Sequence, residues 1–235
     1  MTPVLDVRSI SIQFGGLMAG SDFSLTLPQG RLHGLIGPNG AGKTTCFNLL
    51  TGVYCPTNAL PAGIGDIKLG GQCVLDMKPH ERASAGMART FQNIRLFPDL
   101  SVLDAHLRTR STLAGTLWRT GAHVAEEQAM EARAMELLAI FELADRAHEY
   151  AKNLPYGDQR RLEIARALAT NPRLLLLDEP AAGMNPQEKR ELRDLIRSIR
   201  DRFNLTVLLI EHDMGVVMDI CERITVPDYG VTIAE

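Results

Sequence analysis

The 235-residue sequence predicts an α/β fold, a parallel sheet carrying helices with antiparallel strands ahead of it and a helical stretch set between. Three observations predict it. The run of four leucines after Arg173, through Leu177, and residues 205–210, polar only at Thr206, are near-continuously apolar, as strands buried on both faces of a parallel sheet are. A helical pattern separates them, so strand and helix alternate in this half. Residues 4–14, by contrast, alternate apolar and polar side chains, the mark of a half-buried strand.

Each element follows in order. After the alternating segment 4–14, residues 23–27 alternate again and stop at the turn Pro28-Gln-Gly30. Together they read as an antiparallel sheet that leads into Arg31-Leu-His-Gly-Leu-Ile36, an apolar run fit for a buried strand. Thr45-Cys-Phe-Asn-Leu-Leu50 continues as a helix. Residues 66–75 add short strands around Gly70-Gly71. From about 101 to 150 the pattern turns helical, with Met130, Ala134, Leu137, Leu138 and Phe141 at three- and four-residue spacing and Glu126, Glu127, Glu131 and Arg133 on other faces. Leu162, Ala165, Leu168 and Ala169 mark another helix. Asn185-Pro186-Gln187-Glu188 starts a further one, with an Asn cap, Pro in first place and Glu in third. Its buried stripe is Leu192, Leu195, Ile196 and Ile199. Pro227 lacks an N–H for a sheet ladder, which predicts an edge or turn position.

Between the apolar run ending at Ile36 and the helix lies Gly37-Pro38-Asn39-Gly40-Ala41-Gly42-Lys43-Thr44-Thr45, a complete G-x-x-x-x-G-K-[ST] loop. Its glycines let the backbone turn tightly and aim N–H groups at phosphate oxygens. Lys43 is placed for the β- and γ-phosphates, the Thr44 hydroxyl for Mg²⁺. The helix that follows turns its positive end to the same anion. This chain binds a nucleotide. Downstream, the apolar run ends in Asp178-Glu179. An Asp at a strand's C-terminal end holds the Mg²⁺ shell, and the adjacent Glu, pointing elsewhere, polarises an attacking water. A buried strand followed by a capped turn produces the same letters without any catalysis.

Composition narrows the rest. A net charge of −3 gives no basic footprint for nucleic acid. No apolar stretch nears the roughly 20 residues of a membrane span, and the N-terminus has no signal-peptide pattern. Cys46, Cys55, Cys73 and Cys221 form no C-x-x-C pair, so inert thiols in a reducing cytosol are expected.

Between the two nucleotide signals stands Asn153-Leu-Pro-Tyr-Gly-Asp-Gln-Arg-Arg-Leu-Glu-Ile-Ala-Arg-Ala-Leu168. Here the sequence resembles an ATP-binding cassette (ABC) ATPase over essentially its whole length. The family signature Leu-Ser-Gly-Gly-Gln is matched at Leu154 and Gly157, with Pro155, Tyr156 and Asp158 in the other places. Phe14-Gly-Gly-Leu, Ala88-Arg-Thr-Phe-Gln-Asn-Ile-Arg-Leu-Phe97, Glu179-Pro-Ala-Ala-Gly-Met-Asn185, Glu222-Arg-Ile-Thr and the helical stretch near 110–130 are similar to the branch that energises branched-chain amino acid importers.

The resemblance implies a P-loop NTPase (RecA-like) core with a parallel sheet, an N-terminal antiparallel β subdomain and a helical subdomain at about 95–165, within one ABC ATPase domain spanning 1–235. It implies ATP and Mg²⁺ as cofactors. Gln92 matches the glutamine that reaches Mg²⁺ and the attacking water, although a solitary Gln is commonly a surface residue. His212, just past an apolar strand, matches the histidine that contacts the γ-phosphate. Phe14 matches the aromatic that stacks on adenine, and a strand-end Phe serves a core equally well. Leu154 and Gly157 would face the nucleotide of a second ATPase subunit, in a head-to-tail homo- or heterodimer. Asp158 brings a carboxylate to a phosphate-facing helix end, where Arg160 or Arg161 would have to screen it. The further partners implied are permease transmembrane subunits and, indirectly, a periplasmic binding protein, with the chain peripheral on the cytoplasmic side of the inner membrane.

Two alternatives remain on sequence. The ATPase of a lipid or lipopolysaccharide ABC exporter shares every one of these residues. A non-transport ABC ATPase is disfavoured because the segment between Thr45 and Asn153 has no sustained heptads for a coiled coil and because there is one cassette. A GTPase is disfavoured by the absence of Asn-Lys-x-Asp.

Overall fold

A computed structural model describes residues 2–15, 17–38, 40–58, 65–107, 121–228 and 231–234. The chain divides into two compact units, one formed by Met1–Gln92 with Pro172–Glu235, the other by Asn93–Asn171.

The first unit holds two sheets. Strand β1 (Leu5–Phe14) pairs antiparallel with β2 (Leu17–Leu27) and β4 (Asp66–Leu69), and β5 (Gln72–Cys73) closes the order β2-β1-β4-β5. The alternation of β1 is interrupted once. Leu5 and Val7 are buried, and the next buried residue is Ile10, because Ser9 takes a left-handed φ of 48° at a register shift. The extra residue of a bulge restores the inward face after it.

The second sheet has the order β10-β9-β3-β8-β7-β6. Its parallel strands are β3 (Leu32–Leu35), β6 (Met87–Arg89), β7 (Leu174–Asp178), β8 (Thr206–Ile210) and β9 (Arg223–Asp228), and β10 (Val231–Ala234) adds an antiparallel edge. Every residue of β7 and β8 is buried, which is why both runs are apolar except for Asp178 at the end of one and Thr206 at the start of the other. Each Leu so buried contributes about 1.5–3 kcal/mol. An edge or turn position is expected for Pro227, and β9 as a whole is an inner strand. Its pairing with β3 has ended at Thr225, and at Pro227 only β10 remains as a partner, through Thr232.

Helix α1 (Lys43–Leu50) follows β3. Its C-terminal carbonyls at Leu49 and Leu50 each accept from the buried Arg82 guanidinium at 2.7 Å. Arg82 sits in the short α2 (Pro79–Ser84), and its positive charge complements the negative end of α1. Helix α6 (Pro186–Phe203) begins as its sequence dictates: Asn185 accepts from the N–H groups of Gln187 and Glu188, and Glu188 returns a bond to the Asn185 N–H. Helix α7 (Met214–Ile220) is capped by Asp213.

The second unit packs α3 (Val102–Leu107), α4 (Gly121–Ile140) and α5 (Tyr156–Ala169). Ala134, Leu137, Leu138 and Phe141 are buried, as their spacing requires. Val102, Leu154, Leu162 and Ala165 complete this small core. Part of the helical stretch expected near 110–130 lies outside the described residues.

Candidate nucleotide site

Parallel strands place four loops at one edge of the larger sheet, beyond the carboxyl ends of the strands, where α/β proteins bind ligands. β3 delivers the phosphate loop, β6 delivers Gln92, β7 delivers Asp178 and Glu179, and β8 delivers Glu211 and His212. They surround a cleft of about 540 Å³ lined by Gly37, Pro38, Gln92, Glu179, His212 and Met214, among others.

The loop itself is a backbone device. Gly40 and Gly42 have φ of 88° and 91°, a region that side chains disfavour. Gly37 is demanded by space, since a Cβ there would meet the Pro227 carbonyl oxygen at 2.7 Å. Ala41 is buried and Thr44 exposed. Helix geometry leaves the first N–H groups of α1 without intrahelical acceptors, and no side chain caps them. Lys43 folds back so that Nζ donates to the carbonyls of Gly37 at 2.7 Å and Pro38 at 2.9 Å. Burial lowers its pKa, opposed by the charges of Glu179 and Asp178. Asn39 lies outside the described residues.

At the end of β7 two neighbouring carboxylates diverge. Asp178 is buried and its Oδ2 accepts from Arg89 Nη2 at 2.8 Å. Glu179 adopts a left-handed φ of 46°, a strained conformation of the kind that clusters at functional sites. Its Oε2 accepts from Gln92 Nε2 at 2.9 Å and lies 3.8 Å from His212 Nδ1. The turn is held from β8: the Glu179 N–H donates to the Ile210 carbonyl, and the Ala181 N–H to Glu211 Oε1 at 2.8 Å. Burial raises the pKa of the Glu211 carboxyl. Lys189 anchors Asp213, beside His212, through a 2.6 Å pair that lowers the Asp213 pKa.

The structure thus gathers Gly37, Pro38, Gly40 to Thr45, Gln92, Asp178, Glu179 and His212 on one sheet edge. Phe14 stands apart, at the end of β1, exposed and edge-on to Tyr54 at 5.1 Å. Leu154 and Gly157 belong to the other unit. Leu154 is buried and Gly157 opens α5. Asp158 is screened by neither Arg160 nor Arg161. Its partner is Arg146 at 3.0 Å, while Arg160 pairs with Glu163 and Arg161 with Glu142. Helix direction explains the difference: Arg160 turns into the core of its own unit, where it is fully buried. Sequence reasoning also passed over Arg89 and Glu211. A charged residue inside or directly after an apolar strand is the signal that would have found both.

This site fits a nucleoside triphosphate with its metal. The glycine-bound cradle and free helix end suit phosphate. A buried carboxylate, a hydroxyl and an amide at Asp178, Thr44 and Gln92 offer the hard oxygen donors Mg²⁺ prefers, few enough to leave room for phosphate oxygens. Among the described residues no group of three or more His, Cys, Asp and Glu could hold a metal alone.

The family model described as ABC transporter matches residues 21–182. The chain belongs to the ABC transporter family. This ABC protein is 43% identical over 242 residues to the high-affinity branched-chain amino acid transport ATP-binding protein BraF of Pseudomonas aeruginosa, covering 99% of this chain and 91% of the relative. It is 34% identical over 233 residues to the lipopolysaccharide export system ATP-binding protein LptB of Escherichia coli, covering 98% and 89%. An ATP-binding cassette of an ABC transporter solved in its ADP conformation superposes with a TM-score of 0.85 at 26% identity, covering 100% of this chain and 91% of that one. The ABC cassette fold is therefore shared, and the protein is an ABC transporter ATPase, its hydrolysis of ATP coupled to transport. No helix among the described residues is long and apolar enough to cross a membrane.

Proposed function

We propose that this chain is the ATP-hydrolysing subunit of a branched-chain amino acid importer. The observation that carries the catalytic part is the meeting of Gln92, Glu179 and His212 at the mouth of the phosphate loop. The importer branch is supported by 43% identity to the branched-chain relative against 34% to the lipopolysaccharide one, at nearly equal coverage.

The loop from Gly37 to Thr45 wraps the phosphates with the backbone N–H groups of every residue but Pro38, and Lys43 exchanges its carbonyl partners for β- and γ-oxygens. Thr44, Asp178 and Gln92 hold Mg²⁺. That ion, when bound, neutralises the charge that develops on the phosphates. Glu179 orients and polarises the attacking water, and must first release Gln92. His212 contacts the γ-phosphate, and Phe14 stacks on adenine. Leu154 and Gly157, with the positive end of α5, serve the nucleotide of a second ATPase subunit. The helical unit lies within one cassette domain and, with the Gln92 region, passes closure to permease subunits on the cytoplasmic side of the inner membrane. A periplasmic binding protein delivers the solute, and nucleic acid has no part.

The test is reconstitution in proteoliposomes with permease subunits, a partner ATPase and a binding protein from the same source. ATP-driven uptake of labelled leucine, isoleucine or valine is expected, and Glu179→Gln must abolish it. An assembly that instead moves lipopolysaccharide or hydrolyses ATP without any permease response would overturn this assignment.

A further inference from the structure

Two adjacent carboxylates at the end of β7 are held by the end of β6 and the segment that leaves it: Asp178 by Arg89 and Glu179 by Gln92. The two bonds differ in kind. Gln92 is exposed and Glu179 half-buried, so theirs is a contact at the cleft surface. Arg89 and Asp178 form an ion pair with side chains only 8% and 3% exposed. Arg89 does more than pair. Its Nη1 donates to Asn48 Oδ1 at 2.7 Å and to Thr51 Oγ1 at 3.3 Å, on and just beyond α1. Its guanidinium also lies over the rings of Phe47 and Phe91, at 5.4 and 5.1 Å. One planar side chain therefore joins the phosphate-loop helix, the end of β7 and the residue next to Gln92.

From this we infer that Arg89 is a positioning residue for hydrolysis, the fixed pivot that sets where Gln92 stands relative to Asp178 and Glu179. The inference rests on the roles proposed for Gln92 and Glu179. A flat guanidinium suits it, because it can span the Asn48 amide oxygen on α1, the Thr51 hydroxyl just beyond it and a carboxylate on β7 while lying over two aromatic rings. Lysine keeps the charge beside Asp178 but loses the span and the stack. Around a reacting centre, small displacements of a positioning group carry large rate costs.

The experiment compares Arg89→Lys, Gln92→Ala and the double variant with the wild-type ATPase. Arg89→Lys is expected to melt modestly below the wild type, to keep ATP affinity measured in chelator and KM for ATP, and to lower kcat about ten- to hundredfold, out of proportion to the stability loss. Because Arg89 acts by placing Gln92, adding Arg89→Lys to Gln92→Ala should cost clearly less than it costs alone. Arg89→Met should lower the melting temperature by leaving Asp178 buried and unpaired, and adding Asp178→Asn should restore it. A wild-type kcat for Arg89→Lys, losses of stability, ATP affinity and kcat in proportion, or fully multiplicative effects with Gln92→Ala would each overturn the inference. Glu179→Gln serves as the control: if it retained turnover, the site reading itself would fail, independently of Arg89.

Discussion

Gly37→Ala isolates a steric demand from a torsional one. An ideal Cβ at Gly37 stands 2.7 Å from the Pro227 carbonyl oxygen and 3.2 Å from Ala41 Cβ. Ordinary contact begins near 3.4 Å, so backbone must yield by about 0.7 Å on one side or the other. Neither neighbour can step aside cheaply. Pro227 is tied into β9 and Ala41 is buried under the loop. Overpacking of this kind costs about 1–3 kcal/mol. For a chain of this size that corresponds to a melting temperature lower by about 2–12 °C. ATP binding should also weaken, by about tenfold for each 1.4 kcal/mol of strain that falls on the loop, because the Gly37 carbonyl is one of the two that hold Lys43. Gly20→Ala is the matched control: its nearest neighbour, Ile12 Cγ2, is at 3.4 Å, and its cost should stay within about 0.5 kcal/mol. Differential scanning calorimetry and ATP titration read both variants. If Gly37→Ala melts and binds like Gly20→Ala, the loop is not wedged against β9 and the steric argument fails.

Glu179→Gln removes the charge of the base and keeps its shape, so turnover should fall by roughly 10²–10⁴-fold with ATP binding retained and an ATP-bound dimer accumulating on size exclusion; near-normal phosphate release would rule it out as base. Gly157→Asp should leave ATP binding by the monomer nearly unchanged and the melting temperature too, since an acid is tolerated in the first turn of α5, yet dimerisation and hydrolysis should collapse; undiminished hydrolysis would sink the shared site. Glu211→Gln keeps an oxygen for the Ala181 N–H and removes a buried charge. Because burial raises the folded pKa of Glu211 above its ordinary 4.5, the native state holds a proton that the unfolded chain gives up, and wild-type stability drops as pH rises through that interval. The advantage of Glu211→Gln in melting temperature should therefore be small in acid, grow as pH rises and then level off; parallel curves for the two proteins would contradict it.

The phosphate loop, the two wholly buried strands, the capping box at Asn185 and the inward stripe of α4 are all legible in the residues alone. These are local matters. Glycine torsions, cap hydrogen bonds and a period of 2 or 3.6 act between residues a few positions apart, so the chain displays them directly. The tertiary structure alone decided the rest. β6 is three residues long, too short to show any period, and becomes a strand because β7 lies beside it. Pro227 sits in an inner strand because β3 stops two residues earlier. Asp158 found Arg146 across a turn rather than an arginine on its own helix. Arg82, Arg89 and Glu211 look in sequence like solvated charges, yet each is buried or nearly so, since partners 30 to 90 positions away meet it. Whether a charge can leave water depends on which distant acceptors or donors the folded chain brings to it, and no local pattern carries that information.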